Sequence, residues 1–200
     1  MNKKRLLVFN SGSGSGFQEL VENSKTGVLD GHIVGLITNN KDYKCIERAK
    51  KLGIQYTIMT SFDAEDYQSM VGAYQADFVL LSGWLKLVKG LNPKTTINIH
   101  PGPLPKFGGK GMWGHHVHEA VMKAFKAGEI TETAVTMHFV NEKFDDGPIC
   151  FEYPILIRDD DTSEILAARV NKIEHGWQSF ITNLIIKGIL KPGDKFQFQQ

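Results

Sequence analysis

Asn98 and His100 stand one residue apart in INIHPGPLP, directly ahead of Pro101, Pro103 and Pro105. A side-chain amide can donate to a developing oxyanion, and an imidazole can donate or move a proton. The closely spaced prolines end any strand or helix. The pair is therefore either filler at a strand end or a reactive pair on a stiffened exit.

Further along, KFDDGP sets Asp145 and Asp146 side by side before Gly147 and Pro148. Asp and Gly favour turns for backbone reasons of their own, so a plain turn competes with a functional reading. Spacing does not say whether either acid points inward. One inward carboxylate would complete an amide, imidazole and carboxylate set. It would raise the pKa of His100 and keep the ring protonated as a second donor. It could also collect a proton from an attacking amine. No Ser or Cys occupies a motif position suited to a covalent acyl-enzyme. Such a set suits direct transfer of an acyl group between two bound substrates.

SGSGSG, from Ser11 to Gly16, places several backbone N–H groups at the positive start of a helix, where a phosphate fits. A merely tight turn is the alternative. The dinucleotide fingerprint fails, because Phe17 takes the third glycine slot and the second strand ends in Asn39 and Asn40 without an acid. No Gly-Lys-Ser/Thr follows, so the P-loop fails too. In HHVH, His115 and His118 fall on one helix face, but no third metal ligand has the familiar spacing. A structural or substrate-lining role fits them better than a metal.

The elements that must position these residues alternate in the first half. LLVFNS, HIVGLIT, IQYTIMT and DFVLLSGW read as strands, and their nearly continuous apolar runs suit a parallel sheet buried on both faces. Between them lie three helices. One carries Phe17, Leu20 and Val21 before Gly27, one covers YKCIERAKKLG with Gly53 as its stop, and one covers SFDAEDYQSMVGAYQA with Ser61 as N-cap. The order predicts an α/β fold: an open, doubly wound, mostly parallel sheet with helices on both faces. Ligands then gather beyond the carboxyl ends of the strands, at Ser11 to Gly16, Gly83 to Lys86 and NIHPGPLP. The second half predicts a loop from Pro101 to Trp113, a helix over His115 to Ala127, and strands AVTMHFV and ICFEYPILI. A final helix over Thr162 to Lys187 and the tail KPGDKFQFQQ complete it.

The 200 residues suit one large domain, and no repeat or linker divides them. With 42% hydrophobic and 22% charged residues the composition is that of a globular protein. A net charge of +1 gives no field toward nucleic acid or an anionic membrane. The apolar run after MNKKR is too short for a signal peptide or a span, which predicts a cytoplasmic protein. Cys45 and Cys150 lack metal spacing and read as unpaired thiols.

SGSGSG, NIHPGPLP, FDDGP and EHGW in the last helix occur in the order and spacing of phosphoribosylglycinamide formyltransferases, within the folate-dependent formyltransferase superfamily. The chain resembles that family over essentially its whole length. The resemblance implies a Rossmann-like formyltransferase fold and a single catalytic domain over 1–200. It also implies formyl transfer from the co-substrate 10-formyltetrahydrofolate to the amine of glycinamide ribonucleotide, in de novo purine biosynthesis. The transfer would be direct, through a tetrahedral intermediate and without a metal. Asn98, His100 and Asp145, the first acid of DDGP, match the catalytic set. Ser13, Gly14, Ser15 and Gly16 match the loop that holds the ribonucleotide phosphate, and Glu174 the acid that binds its ribose. Trp84, Leu85, Lys86, Leu87 and Val88 match the segment lining the folate pocket, with Thr136 and His138 at positions facing the cleft. Partners would be small molecules only, with no nucleic acid and no membrane, and the protein a monomer or homodimer.

Departures from the family pattern are Gly16 in place of Asn, GPLP in place of SLLP, Lys86 in place of Arg, and a longer 107–118 stretch. Lys86 exchanges a bidentate fork for a point charge. Related formyltransferases acting on tRNA carry a further C-terminal domain, for which nothing after residue 190 is expected to suffice. A formyltransferase acting on an amino-sugar nucleotide, and a formyltetrahydrofolate deformylase, remain as alternatives. A phosphate-binding protein without catalysis would leave NIHPGPLP and FDDGP unexplained. A hydrolase with a metal on His115 and His118 would need a further ligand.

Overall fold

The computed structural model describes residues 3–41 and 44–198. Strand β1 (Lys4–Phe9) leads into helix α1 (Ser15–Thr26), and β2 (Gly31–Thr38) into α2 (Lys44–Leu52). β3 (Tyr56–Ile58), α3 (Ala64–Ala73) and β4 (Phe78–Ser82) complete the alternating half. A helix-free connection then reaches β5 (Thr96–His100). It is followed by α4 (His115–Lys126), β6 (Glu132–Phe139), β7 (Ile149–Leu156) and the long α5 (Ser163–Ile186).

The seven strands form one sheet in the order β3-β2-β1-β4-β5-β6-β7. β1 to β5 run parallel, while β6 and β7 are antiparallel additions on the β5 side. β1 alternates strictly between two cores. Leu6 and Val8 pack with α1, α2, α4 and α5, whereas Leu7 and Phe9 pack with α3 and the segment after β4. A strand buried on both faces needs apolar residues at every position, which is why LLVF has no polar break. The chain reverses direction across the sheet between β1 and β4, and their carboxyl ends open a crevice there.

The expected elements are present with local differences. IQYTIMT forms only the three residues of β3, because the register with β2 covers Tyr56 to Ile58 alone. Ser61 is not the N-cap of α3. Asp63 is, in a reciprocal capping box with Asp66, so the helix starts later than Ser61 would set it. Thr162 does cap α5, accepting from the Ile165 N–H. Tyr43, expected at the head of α2, and Gln199 and Gln200, expected in the tail, lie outside the described residues. Cys45 and Cys150 are free and buried. No helix among the described residues is long and apolar enough to cross a membrane.

Candidate active site

In β5, Ile97 and Ile99 join the core beneath α1, α4 and α5, which sends Asn98 and His100 to the other face. β6 pairs antiparallel with β5, setting Asn98 opposite His138 and His100 opposite Thr136. Cross-strand partners share a face, so four polar side chains meet on one patch of sheet. Val135, Met137 and Phe139 alternate with them into the apolar core.

The loop after β6 adds the acid. Gly147 makes this possible, because a Cβ there would lie 1.7 Å from the Phe139 carbonyl oxygen. Asp145 takes a left-handed backbone at φ 51°, costly for a residue with a side chain, and turns inward. Its side chain is 12% exposed. Asp146 instead faces outward, bonded to Asn141 and beside Lys143.

Asp145 Oδ1 lies 3.3 Å from Asn98 Nδ2, 3.6 Å from His100 Nδ1 and 3.5 Å from His138 Nε2. Its Oδ2 accepts the Gly109 N–H at 2.9 Å. Burial alone would raise the Asp145 pKa. The His138 ring, the nearby His100 and the Gly109 N–H pull the other way, and the carboxyl is held below its ordinary value. It is a carboxylate at neutral pH.

His138 Nδ1 lies 2.9 Å from the Phe139 carbonyl, a contact that requires an Nδ1–H. Nε2 lies 3.0 Å from Asn98 Nδ2 and 3.5 Å from Asp145 Oδ1, where the amide offers a hydrogen and the carboxylate asks for one. Asn98 Nδ2 is thus within reach of both Asp145 and His138. Releasing the longer bond frees an amide hydrogen for an incoming oxygen.

His100 departs from expectation. Its Nε2–H points at the Phe107 carbonyl, 2.7 Å away, in a buried pocket. Burial lowers its pKa and outweighs the pull of Asp145 and of that carbonyl. The resting ring is neutral, not held protonated by its carboxylate neighbour.

These groups open onto a cavity of about 620 Å³ at the crevice between β1 and β4. Ser13, Gly14, Ser15 and Gly16 line it, and so does Glu174 on α5. Gly14 caps α1 at φ 77°, and a Cβ there would meet the Cys45 Cβ at 2.6 Å. The departure at Gly16 has a local reason, since a Cβ would lie 2.4 Å from Ser82 Oγ, which itself reaches Gln178 at 3.4 Å. Arg48 fixes the loop from outside by donating to the Ser13 carbonyl at 3.0 Å. Burial pushes the Glu174 carboxyl up to about 7.

Trp84 and Leu85 line the same cavity, and Ser11 Oγ accepts the Leu85 N–H at 3.0 Å. Lys86, Leu87 and Val88 are not among the residues that line this cavity. Lys86 sits over the Phe62 ring at 5.2 Å, and Val88 is buried in the α3 core. Leu87 turns its carbonyl to Tyr67. Thr136 is buried and donates to the Gly102 carbonyl at 2.8 Å, which supports the proline-rich exit rather than facing the cleft. His138 is likewise under the cavity floor, touching Asn98 and Asp145.

Sequence reasoning missed Asn10, Ser82, Asn171, His175 and Gln178, all on the cavity wall. Asn10 had a readable signal, a polar residue closing an apolar strand; its Oδ1 accepts the Gly12 N–H at 2.9 Å. His115 and His118 both line the cavity. His118 is 6% exposed, its Nδ1 has no partner, and burial lowers its pKa to about 4. Among the described residues no group of three or more His, Cys, Asp and Glu could hold a metal ion.

The sequence pattern of the family described as formyl transferase matches residues 4–182. The chain belongs to the formyl transferase family. Among its relatives is the chloroplastic phosphoribosylglycinamide formyltransferase of Arabidopsis thaliana, 37% identical over 86% of this chain and 62% of that protein. The phosphoribosylglycinamide formyltransferase of Bacillus subtilis is 30% identical over 96% of this chain and 99% of its own length. The chain thus spans about three fifths of the chloroplastic relatives, 62% and 58% of those from Arabidopsis thaliana and Vigna unguiculata. The solved glycinamide ribonucleotide transformylase 1 of Symbiobacterium toebii superposes with a TM-score of 0.81 at 26% identity, covering 93% of this chain and 89% of that one. Like these formyl transferases, the chain carries the open, mostly parallel sheet expected from its sequence.

Proposed function

We propose that this formyl transferase moves a formyl group from 10-formyltetrahydrofolate to the amine of glycinamide ribonucleotide, a step of de novo purine biosynthesis. The observation that carries the reading is one shared cavity. A glycine-rich helix start and Glu174 stand on its walls, and Asn98, His100 and Asp145 stand at its floor. A phosphorylated amine and a flat acyl donor can both reach that floor. The names of the relatives from Arabidopsis thaliana and Bacillus subtilis point to the same substrate.

In this reading the phosphate rests on backbone N–H groups of Ser13 to Gly16 at the positive end of α1. Glu174 takes the ribose hydroxyls. The formyl donor lies against Trp84 and Leu85. The amine attacks the formyl carbon, and Asn98 Nδ2–H, released from Asp145, donates to the carbonyl oxygen as its charge develops. Asp145, ionised at rest, takes the amine proton. Sharing it with His100 Nδ1 makes the ring a cation while negative charge builds beside it. The C–N bond to the folate then breaks, and the proton leaves with the folate nitrogen. No metal takes part. Residues 1–200 act as one catalytic domain, a monomer or homodimer in the cytoplasm working on small molecules alone.

The test is an assay with glycinamide ribonucleotide and formylfolate, with and without the amine. Formylated product that requires the amine supports the reading. Formate released without the amine indicates a deformylase instead.

A further inference from the structure

Tyr67 lies on α3, across the sheet from the helices α1 and α5, and is completely buried. Its hydroxyl has two partners. It accepts the indole N–H of Trp84 at 3.2 Å and donates to the Leu87 carbonyl at 3.0 Å. One oxygen therefore ties both ends of the 84–87 turn to α3. The ring supports the same turn by contact, with centroids 6.4 Å from Trp84 and 5.9 Å from Phe9. Phe9 meets Trp84 edge-on at 5.2 Å. From the cavity side the Ser11 hydroxyl holds the turn through the Leu85 N–H, and the Ser11 N–H donates to the Gly83 carbonyl at 2.9 Å.

Each partner of Tyr67 needs what it receives. The Trp84 indole N–H is a donor only, and the Leu87 carbonyl takes its side-chain donor from the same hydroxyl. Burial pushes the phenol pKa up to about 12, so the hydroxyl keeps its proton. Ser82 and Gly83 lead into this turn from β4, and Gly83 alone, at φ 79°, allows the chain to bend there. The turn's shape thus depends on α3 as well as on Gly83 and Ser11.

We infer that Tyr67 is a positioning residue: acting through Trp84 and Leu87, it sets the cavity wall that receives the planar heterocycle of the formyl donor. This rests on the proposed function for the identity of the donor, but the hold on the turn does not. Tyr67 touches no substrate. Its two hydrogen bonds go to Trp84 and Leu87, so its effect is expected first on the donor side.

The experiment compares the full chain with Tyr67→Phe, Trp84→Phe and the double variant. KM for each substrate and kcat are measured, and amide hydrogen exchange at residues 85–88 is followed in the free protein. Tyr67→Phe should raise KM for the formyl donor about tenfold, the equivalent of one orphaned buried group. KM for the ribonucleotide should stay within about twofold. Exchange at 85–88 should quicken while that of β1 and β4 does not. Phe at position 84 has no N–H to orphan, so adding Tyr67→Phe to Trp84→Phe should cost less than it does alone. An unchanged donor KM, or both KM values rising together, overturns the proposal, and so does unchanged exchange. A wild-type chain that transfers no formyl group overturns the functional reading and the donor assignment with it; faster exchange at 85–88 then leaves Tyr67 as the anchor of the turn alone.

Discussion

Gly109 donates its backbone N–H to Asp145 Oδ2 over 2.9 Å. The bond joins the loop after β5 to the loop after β6, and the acid that faces Asn98 and His100 is held by both. Gly108 beside it leaves the room for this approach. A Cβ at Gly108 would stand 3.0 Å from the Asp145 Cβ and 2.3 Å from Leu104 Cδ2. The leucine end can give way, but the carboxylate cannot move without losing its place.

Gly108→Ala should therefore lower kcat by roughly 10- to 100-fold, the scale of a misplaced reacting group. KM for both substrates should change far less. Steady-state kinetics beside a thermal melt checks it; a kcat within twofold of wild type shows that the loop contact does not set Asp145.

The departure at Gly102 makes a paired prediction. A Cβ there would lie 2.8 Å from Val117 Cγ1 and 3.4 Å from His100 Nε2. Gly102→Ser, which restores the more familiar residue, should push α4 and His100 apart and cost about tenfold or more in turnover. Val117→Ala opens the space, so the double variant should recover much of that loss. Kinetics of the two single variants and the double would show the coupling, and additive losses would refute it.

Much of this arrangement was legible in the residues, and the illegible parts have physical causes. The unbroken apolar runs of β1 and β4 announced a sheet buried on both faces, and Thr162 announced the start of α5. β3 was overread because an edge strand's length is fixed by its neighbour's register. Ser61 and Asp63 are both good caps, and only the reciprocal partner Asp66 separates them. NIHPGPLP and FDDGP were visible as candidates, but the inward turn of Asp145 depends on its backbone and on Gly147 meeting Phe139. The charge of His100 was misread because proximity to an acid can be inferred from motifs, whereas burial cannot. Lys86 is placed on the folate wall by the resemblance alone; its ammonium sits over the Phe62 ring.

Acid should weaken the fold through His118. Its pKa is about 4 when folded against 6.5 for an ordinary imidazole. Between those values the unfolded chain binds more protons, so stability falls as pH drops from 6.5 toward 4 and is fully present above 6.5. The loss is on the order of 3 kcal/mol. His100, also lowered by burial, adds in the same direction. Urea unfolding across this range should show a shallower slope for His118→Gln, and an identical slope would refute the assignment.

The central claim is that Asn98 and Asp145 together carry the transfer. Formyl transfer to glycinamide ribonucleotide should be measured for the wild-type chain, Asn98→Ala and Asp145→Asn, each shown to be folded by its melting curve. Either change should reduce kcat by at least about 10²–10³, the usual cost of losing one such group. Turnover near that of wild type in either folded variant would contradict the account.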